Sequence, residues 1–314
     1  MKVYDILIVG AGTAGCIAAR TAAEKGLDVC LVDCKPEDKV GDKVCGDAVG
    51  KHHFDKLGLS YPAGEEFECN MLGIDVYSPD SKTRFRIEGK GISGFGINRH
   101  KFGQRLLREA LSKNIVFHDC TVALAPLIER GFVKGVKAQN SKEGWKQDIH
   151  GRVTIDASGV SGIVRQNLPS EFGLERRIDS KDLIALYREL RSNVESDSDY
   201  SEIYLNQQAA PGGYYWIFYK GEGRANVGVG VEMKKSYLNP KARLYQYVLS
   251  RREFENSKVI HGGGGIVPTR RPLDCLVANG VMLVGDAACL VNPISGGGIG
   301  PSMLSGRLAA ETAV

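Results

Sequence analysis

The residues of this sequence best suited to chemistry are three glycines near its start, Gly10, Gly12 and Gly15, together with Asp33. In YDILIVGAGTAGCIAAR, an apolar run from Ile6 to Val9 passes through those glycines into an alanine-rich helical pattern with no spacer. Strand, glycine loop and helix in that order form a dinucleotide fingerprint in its required context. Gly10 permits the sharp turn, Gly12 lets the backbone approach a pyrophosphate, and Gly15 lets the helix pack closely on the strand. The helix N-terminus then offers N–H groups and the positive end of its dipole to the phosphates. Asp33 closes a second apolar run, LDVCLVD, where its carboxylate is placed to accept hydrogen bonds from an adenosine ribose.

Four further stretches carry candidate chemistry. In VCGDA, Cys45 stands where the chain is expected to enter a helix carrying Val49, His53, Phe54 and Leu57. Gly46 and Ala48 exclude bulk there, which suggests close approach to a planar ligand; a buried structural thiol is the alternative. Arg99 opens an amphipathic helix, INRHKFGQRLLREALSKN, against the helix dipole, so either an anion compensates it or it faces solvent. PGGYYWIFYKGEGRANVGVGVE places Tyr214, Trp216 and Phe218 on one face of a strand and Tyr215, Ile217 and Tyr219 on the other. Gly228 and Gly230 share a face next to them. Small residues opposite large aromatics can leave a flat-sided slot for an elongated apolar ligand, the alternative being ordinary sheet core. Near the end, GVMLVGDAACLVNPISGGGIG puts Asp286 after a strand and Gly296 to Gly298 before a helix. Asp286 could bind a polyol. A nicotinamide cofactor would not need this late return, whereas FAD is long enough to use it. No other glycine run lies between a strand and a helix, so no separate nucleotide domain for NAD(P)H is expected.

The elements that must position these residues define an α/β fold, a Rossmann-like FAD-binding domain of the glutathione-reductase type with an inserted, mostly antiparallel β-sheet domain. The expected FAD-binding domain is discontinuous, comprising residues 1–70, 96–170 and 273–314. Residues 71–95 and 171–272 make up the sheet domain, including a hairpin from Leu72 to Ile87 with SPDSK as its turn and a short helix around Pro240 to Ser250.

With 314 residues, 43% of them hydrophobic, the chain can bury a large core. A net charge of +4, from 41 basic and 37 acidic residues scattered in small groups, gives no tract for nucleic acid but tolerates an anionic membrane surface. No apolar run reaches transmembrane length, and Asp5 interrupts any signal-peptide reading, so an intracellular, cytoplasmic location is expected, with peripheral membrane association open. Eight cysteines lack CxxC spacing and six histidines lack ligand spacing, so no metal site is expected.

GAGTAG, VCGDA, the YxWxF strand, PTRRP and GDA followed by NPISGGGIG together make the chain closely similar to the archaeal geranylgeranyl reductase family. Those flavoproteins share the para-hydroxybenzoate hydroxylase superfold and saturate prenyl chains of archaeal membrane lipids. The resemblance implies FAD contacts at Ala14, Gly15, Asp33, Cys45, Gly46, Ala48, Arg99, Ala123, Asp286, Gly298 and Ile299, beside Gly10 and Gly12 of the fingerprint. It implies that Tyr214, Trp216 and Phe218 line a lipid site. Tyr219 stands where the family pattern has proline. Relatives continue past the last helix with a helical region that helps close the lipid site, whereas this sequence stops at Val314 within that helix.

An unconjugated prenyl alkene accepts hydride poorly. Protonation toward its less substituted carbon builds tertiary cation character, and hydride from reduced flavin completes the addition. On this reading the aromatic strand lines a dry slot and Cys45 positions the alkene or relays the proton. The expected partners are a prenylated lipid and an electron donor, NAD(P)H or a ferredoxin; whether the lipid carries a phosphate for Arg270 or Arg271 to meet is left open by the sequence. Two other readings stay open at this point: an FAD-dependent monooxygenase or halogenase of the same superfold, and a truncated flavin-binding protein without catalysis.

Overall fold

The computed structural model describes residues 2–313, with the side chain of Ser236 left aside; the domain bounds expected at residues 1 and 314 lie outside them. The chain forms two compact units. One takes the chain up to Asp42, His100–Ile178 and everything from Pro268 on; the other takes Lys43–Arg99 and Asp179–Val267.

The first unit is built on the strand Val3–Val9, flanked in parallel by Lys146–Asp156 on one side and Val29–Val32 on the other. Val116–His118 extends the parallel ladder beyond Val29–Val32, and Val281–Leu283 extends it beyond Lys146–Asp156. Strands covered on both faces read as unbroken apolar runs, and Ile6, Leu7 and Ile8 are accordingly almost wholly buried. Two antiparallel strands, Thr121–Glu129 and Phe132–Asn140, are appended through Lys146–Asp156. The helix Thr13–Glu24 follows the first strand directly, and its alanines Ala14, Ala18, Ala19 and Ala22 are buried. Alanine carries the highest helix propensity and lets a helix approach closely. The approach is to the last helix, Ile299–Thr312, where a Cβ on Gly306 would sit 2.2 Å from the Ala14 carbonyl oxygen.

The second unit holds a seven-stranded sheet. Its strand order is Lys258–Pro268, Leu183–Ser192, Arg224–Glu232, Tyr215–Gly221, Tyr200–Tyr204, Gly73–Tyr77 and Arg84–Glu88. From Leu183–Ser192 to Arg84–Glu88 the sheet is antiparallel except where Tyr200–Tyr204 runs parallel to Gly73–Tyr77, the first strand of the hairpin expected from Leu72 to Ile87. A separate three-stranded sheet joins Ala48–Gly50, Gly94–Ile97 and Phe67–Met71.

Two expectations are corrected here. The helix after VCGDA starts only at Lys51, because Ala48–Gly50 pairs as a strand with Gly94–Ile97; Val49 belongs to that strand, while Phe54 and Leu57 are on the helix and buried. That pairing also takes the chain into the second unit at Lys43, whereas the sequence suggested a boundary at residue 70.

Candidate functional site

Candidate residues gather in two groups, one in each unit. In the first unit, Gly10 has φ +105°, and a Cβ there would lie 2.5 Å from the Ala157 carbonyl oxygen. A Cβ on Gly15 would come within 1.8 Å of the Gly10 carbonyl oxygen, so the turn folds back onto the helix it starts. Gly12, the N-cap residue, differs: a Cβ there would enter open space. No protein neighbour demands glycine at this position, as expected if the small residue serves a ligand. The helix begins without a side-chain cap on its N-cap residue and without an acid in its first turn, so its positive end meets no carboxylate of the helix's own.

Asp33 anchors the same loop. Its Oδ2 accepts the Ala11 N–H at 2.6 Å, its Oδ1 accepts the Lys35 N–H at 2.8 Å, and its carbonyl accepts the Thr121 N–H at 2.7 Å. Each carboxylate oxygen keeps capacity for a further donor such as a ribose hydroxyl. Ala123 lies two residues beyond Thr121, buried and paired with Ala138. From the late part of the chain, Gly285 turns with φ +58°, and a Cβ on it would stand 3.3 Å from the Ala14 Cβ. Asp286 is buried in that turn, and a Cβ on Gly298, at the start of the helix carrying Ile299, would lie 3.5 Å from the Asp286 Oδ1. The turn is held by the fully buried Arg165, whose Nε–H donates to the Ala287 carbonyl at 3.0 Å. The two ends of the chain therefore meet at Ala14.

In the second unit, alternation along Tyr215–Gly221 sorts the aromatics as the sequence implies. Trp216 and Phe218 pack in one cluster with Met71, joined by Tyr214, Ala48 and Cys69, while Tyr215, Ile217 and Tyr219 are in the cluster behind the sheet. Asn226 ties this strand to the VCGDA loop. Its Nδ2–H groups donate to the Cys45 carbonyl at 2.9 Å and to the Asp47 Oδ2 at 2.7 Å, while its Oδ1 accepts the Trp216 indole N–H at 3.0 Å. Lys220, fully buried, donates to the Ile97 carbonyl at 2.9 Å and lies 2.7 Å from Glu68 and 3.7 Å from Asp47.

The apolar setting shifts the ionisable groups. Burial, then Asp47, pushes the half-buried Cys45 thiol up, with Arg99 and Lys43 pulling back, so the thiol stays protonated at neutral pH. Burial also raises the Asp47 carboxyl against the opposing pull of Lys220, Arg188, Asn226 and Arg99. Tyr214 is pushed up to about 12 by burial and by Cys45. Arg99 itself is buried at the first turn of its helix.

The pattern of the FAD dependent oxidoreductase family matches residues 5–211, and that of the geranylgeranyl reductase catalytic domain matches residues 182–267. A digeranylgeranylglycerophospholipid reductase of Sulfolobus acidocaldarius is 40% identical over 311 residues, covering 98% of this chain and 68% of that protein. The chain belongs to the digeranylgeranylglycerophospholipid reductase family. Another such reductase, from Methanoculleus marisnigri, is 34% identical across 99% of this chain and 76% of its own length. Among solved structures, a geranylgeranyl bacteriochlorophyll reductase-like protein from Thermoplasma acidophilum superposes with a TM-score of 0.90 at 29% identity, over 100% of this chain and 78% of that one. A flavin-dependent brominase superposes with a TM-score of 0.77 at 20% identity, over 99% of this chain and 79% of its own, and shares the fold alone.

This family member is an FAD-dependent oxidoreductase, and FAD is its cofactor. The first-unit group fits that cofactor, with room at Gly12, a helix N-terminus without an acid in its first turn, and carboxylates at Asp33 and Asp286. Other expectations for this reductase change. A Cβ on Gly228 would meet the Trp216 ring at 2.2 Å and one on Gly46 the Phe218 ring at 2.8 Å, so both glycines seat aromatic rings. The flat slot expected beside Gly228 is filled by the indole. Arg270 is paired with Glu175 and Arg271 with Asp274. Tyr219, in place of proline, faces the rear core, and the strand runs on to Gly221. Among the described residues, no helix is long and apolar enough to cross a membrane.

Asp47, Lys220, Arg188 and Asn226 were not singled out from the sequence, though a signal was there. Alternation puts Lys220 on the Trp216 face and Asn226 on the Gly228 face, polar groups in an otherwise apolar stripe. Arg188 pairs in register with Gly228, which places it on the same face.

Proposed function

We infer that this chain saturates double bonds of geranylgeranyl chains in archaeal membrane lipid precursors, using FAD. The observation that carries this is membership of the reductase family, with the catalytic-domain match covering the strands that bear Trp216, Phe218 and Asn226. We assign FAD to the first unit, with Gly10, Gly12, Ala14, Gly15, Asp33, Ala123, Asp286, Gly298 and Ile299 as its residues there, and the prenyl chain to the aromatic face of the second. The remaining cofactor-binding candidates, Cys45, Gly46, Ala48 and Arg99, belong to the second unit.

When bound and reduced, FAD supplies the hydride. The chain's own residues do the rest. The first helix and its glycine loop bind phosphates, and Asp33 and Asp286 take hydroxyl donors. Tyr214, Trp216 and Phe218 exclude water and offer aromatic faces to developing positive charge. Cys45, kept as a neutral thiol, is a small uncharged contact for the alkene. Electrons come from NAD(P)H or a ferredoxin, and contact with the membrane is peripheral, from the cytoplasmic side.

The test is to reduce the flavin-loaded protein with dithionite, without oxygen, and incubate it with a geranylgeranyl lipid. Mass spectrometry should show products heavier by H2 for each saturated bond. Oxygenated or halogenated products, or no product, would overturn the reading. A Cys45→Ala variant should keep its flavin and slow reduction by about tenfold, equivalent to about 1.4 kcal/mol; an undiminished rate removes Cys45 from the site.

A further inference from the structure

We infer that Asp47 is the acid of this reaction, its Oδ1–H giving the proton to the less substituted carbon of the prenyl double bond. The inference rests on the prenyl reduction proposed above and names the residue that starts it.

The geometry around the carboxyl is lopsided. Asp47 is 6% exposed, and both of its polar contacts reach Oδ2, from Asn226 at 2.7 Å and from Lys220 at 3.7 Å. Oδ1 is buried and has no hydrogen-bond partner among the described residues. A buried, unpartnered carboxylate oxygen is expensive, and a proton on it removes that penalty. Lys220 does not supply a full counter-charge, because its ammonium is nearer to Glu68, at 2.7 Å. One buried ammonium thus faces two carboxylates, and Asp47 is the more distant. The residue also holds φ +61°, a conformation uncommon outside glycine, which aims its side chain from a loop fixed by the Ile97 N–H on the Asp47 carbonyl at 2.9 Å.

Charged and titratable groups face the Asp47 site from several elements. Lys43 and Cys45 come from its own loop, Arg99 from the helix start, Arg188 from Leu183–Ser192 and Lys220 from the aromatic strand. Glu68 acts through Lys220, and Asn226 adds an uncharged donor. Burial outweighs the cations and keeps the carboxyl protonated above its ordinary range. Once the proton has left, the same cations stabilise the carboxylate. Cys45 is the poorer donor, since an ordinary thiol is a weaker acid than an ordinary carboxyl by about four powers of ten and burial raises both groups.

The step balances. The Asp47 O–H bond breaks and its electron pair stays on Oδ1. The alkene π pair forms the new C–H bond, and the tertiary carbon takes the hydride that the reductase activity supplies. Asp47 recovers a proton from water before the next turnover.

Asp47→Asn keeps the shape of the side chain and removes the acid. It should bind flavin as the wild type does and reduce the prenyl lipid about 10²- to 10⁴-fold more slowly in a single turnover. Infrared spectra of the wild-type protein at neutral pH should contain a neutral carboxylic-acid carbonyl band that is absent from Asp47→Asn. In a second variant, Asn226→Ala, loss of a donor to the carboxylate should raise the pKa and move the basic limb of the kcat profile to higher pH. An Asp47→Asn rate within about threefold of wild type, a carboxyl band that persists in it, or a limb unmoved by Asn226→Ala would each overturn the assignment. Wild-type protein that holds flavin yet reduces no prenyl lipid overturns the functional reading as a whole, whereas a working wild type matched by Asp47→Asn overturns this inference alone.

Discussion

The glycines of the two candidate groups do opposite work. In the first, Gly10 and Gly15 are required by backbone: the atoms that would meet an added Cβ are the Ala157 and Gly10 carbonyl oxygens. In the second, Gly46 and Gly228 are required by side chains, the rings of Phe218 and Trp216. Backbone cannot give way without unfolding the turn, whereas a ring can rotate or slide at moderate cost. The first set therefore protects a loop shape, and the second fixes how the aromatic face is tiled.

That contrast orders a series of substitutions. Gly15→Ala, with its Cβ 1.8 Å from the Gly10 oxygen, should destabilise by about 3 kcal/mol or more and leave the protein without flavin, as read by urea unfolding and absorbance. Survival of a normal midpoint would break the comparison on its backbone side. Gly228→Ala should cost about 1–3 kcal/mol and change the near-ultraviolet circular dichroism of the indole while flavin content stays full. An unchanged indole signal would break it on the other side. Gly46→Ala meets the edge of the Phe218 ring at 2.8 Å and should cost about 1 kcal/mol, with the rate of prenyl reduction falling more than stability does. Gly12→Ala sharpens the comparison most finely. With φ −69° and open space around its Cβ, stability should stay within about 0.5 kcal/mol of wild type while flavin affinity drops, since the methyl occupies ground reserved for phosphate.

The first unit was legible in the sequence because its signals are local. The apolar run, the glycines, the alanine-rich helix and Asp33 lie within a short stretch, and each has one physical reason to be there. The split of Tyr214, Trp216 and Phe218 from Tyr215, Ile217 and Tyr219 was legible for the same reason, since alternation is a property of a single strand. Pairings distant along the chain were not legible. Nothing local in VCGDA reveals that Ala48–Gly50 pairs with Gly94–Ile97, and helical spacing read through Val49 was overridden by that ladder. Gly228 was read as half of an open slot because period two gives the face of a residue but not the rotamer of the ring opposite. Asp47 lay inside a motif already in view, yet its burial depends on Asn226 and Lys220, far away in sequence.

Asn226 spends both of its amide hydrogens on the Cys45–Asp47 loop and its oxygen on the indole of Trp216. Any rearrangement of that loop must therefore tug on a fluorophore. Trp145, whose N–H is bound by Glu143, is the other tryptophan, so a Trp145→Phe background leaves a single emitter. Its colour and brightness would track the loop in real time, giving the protein a built-in optical gauge that needs no attached dye.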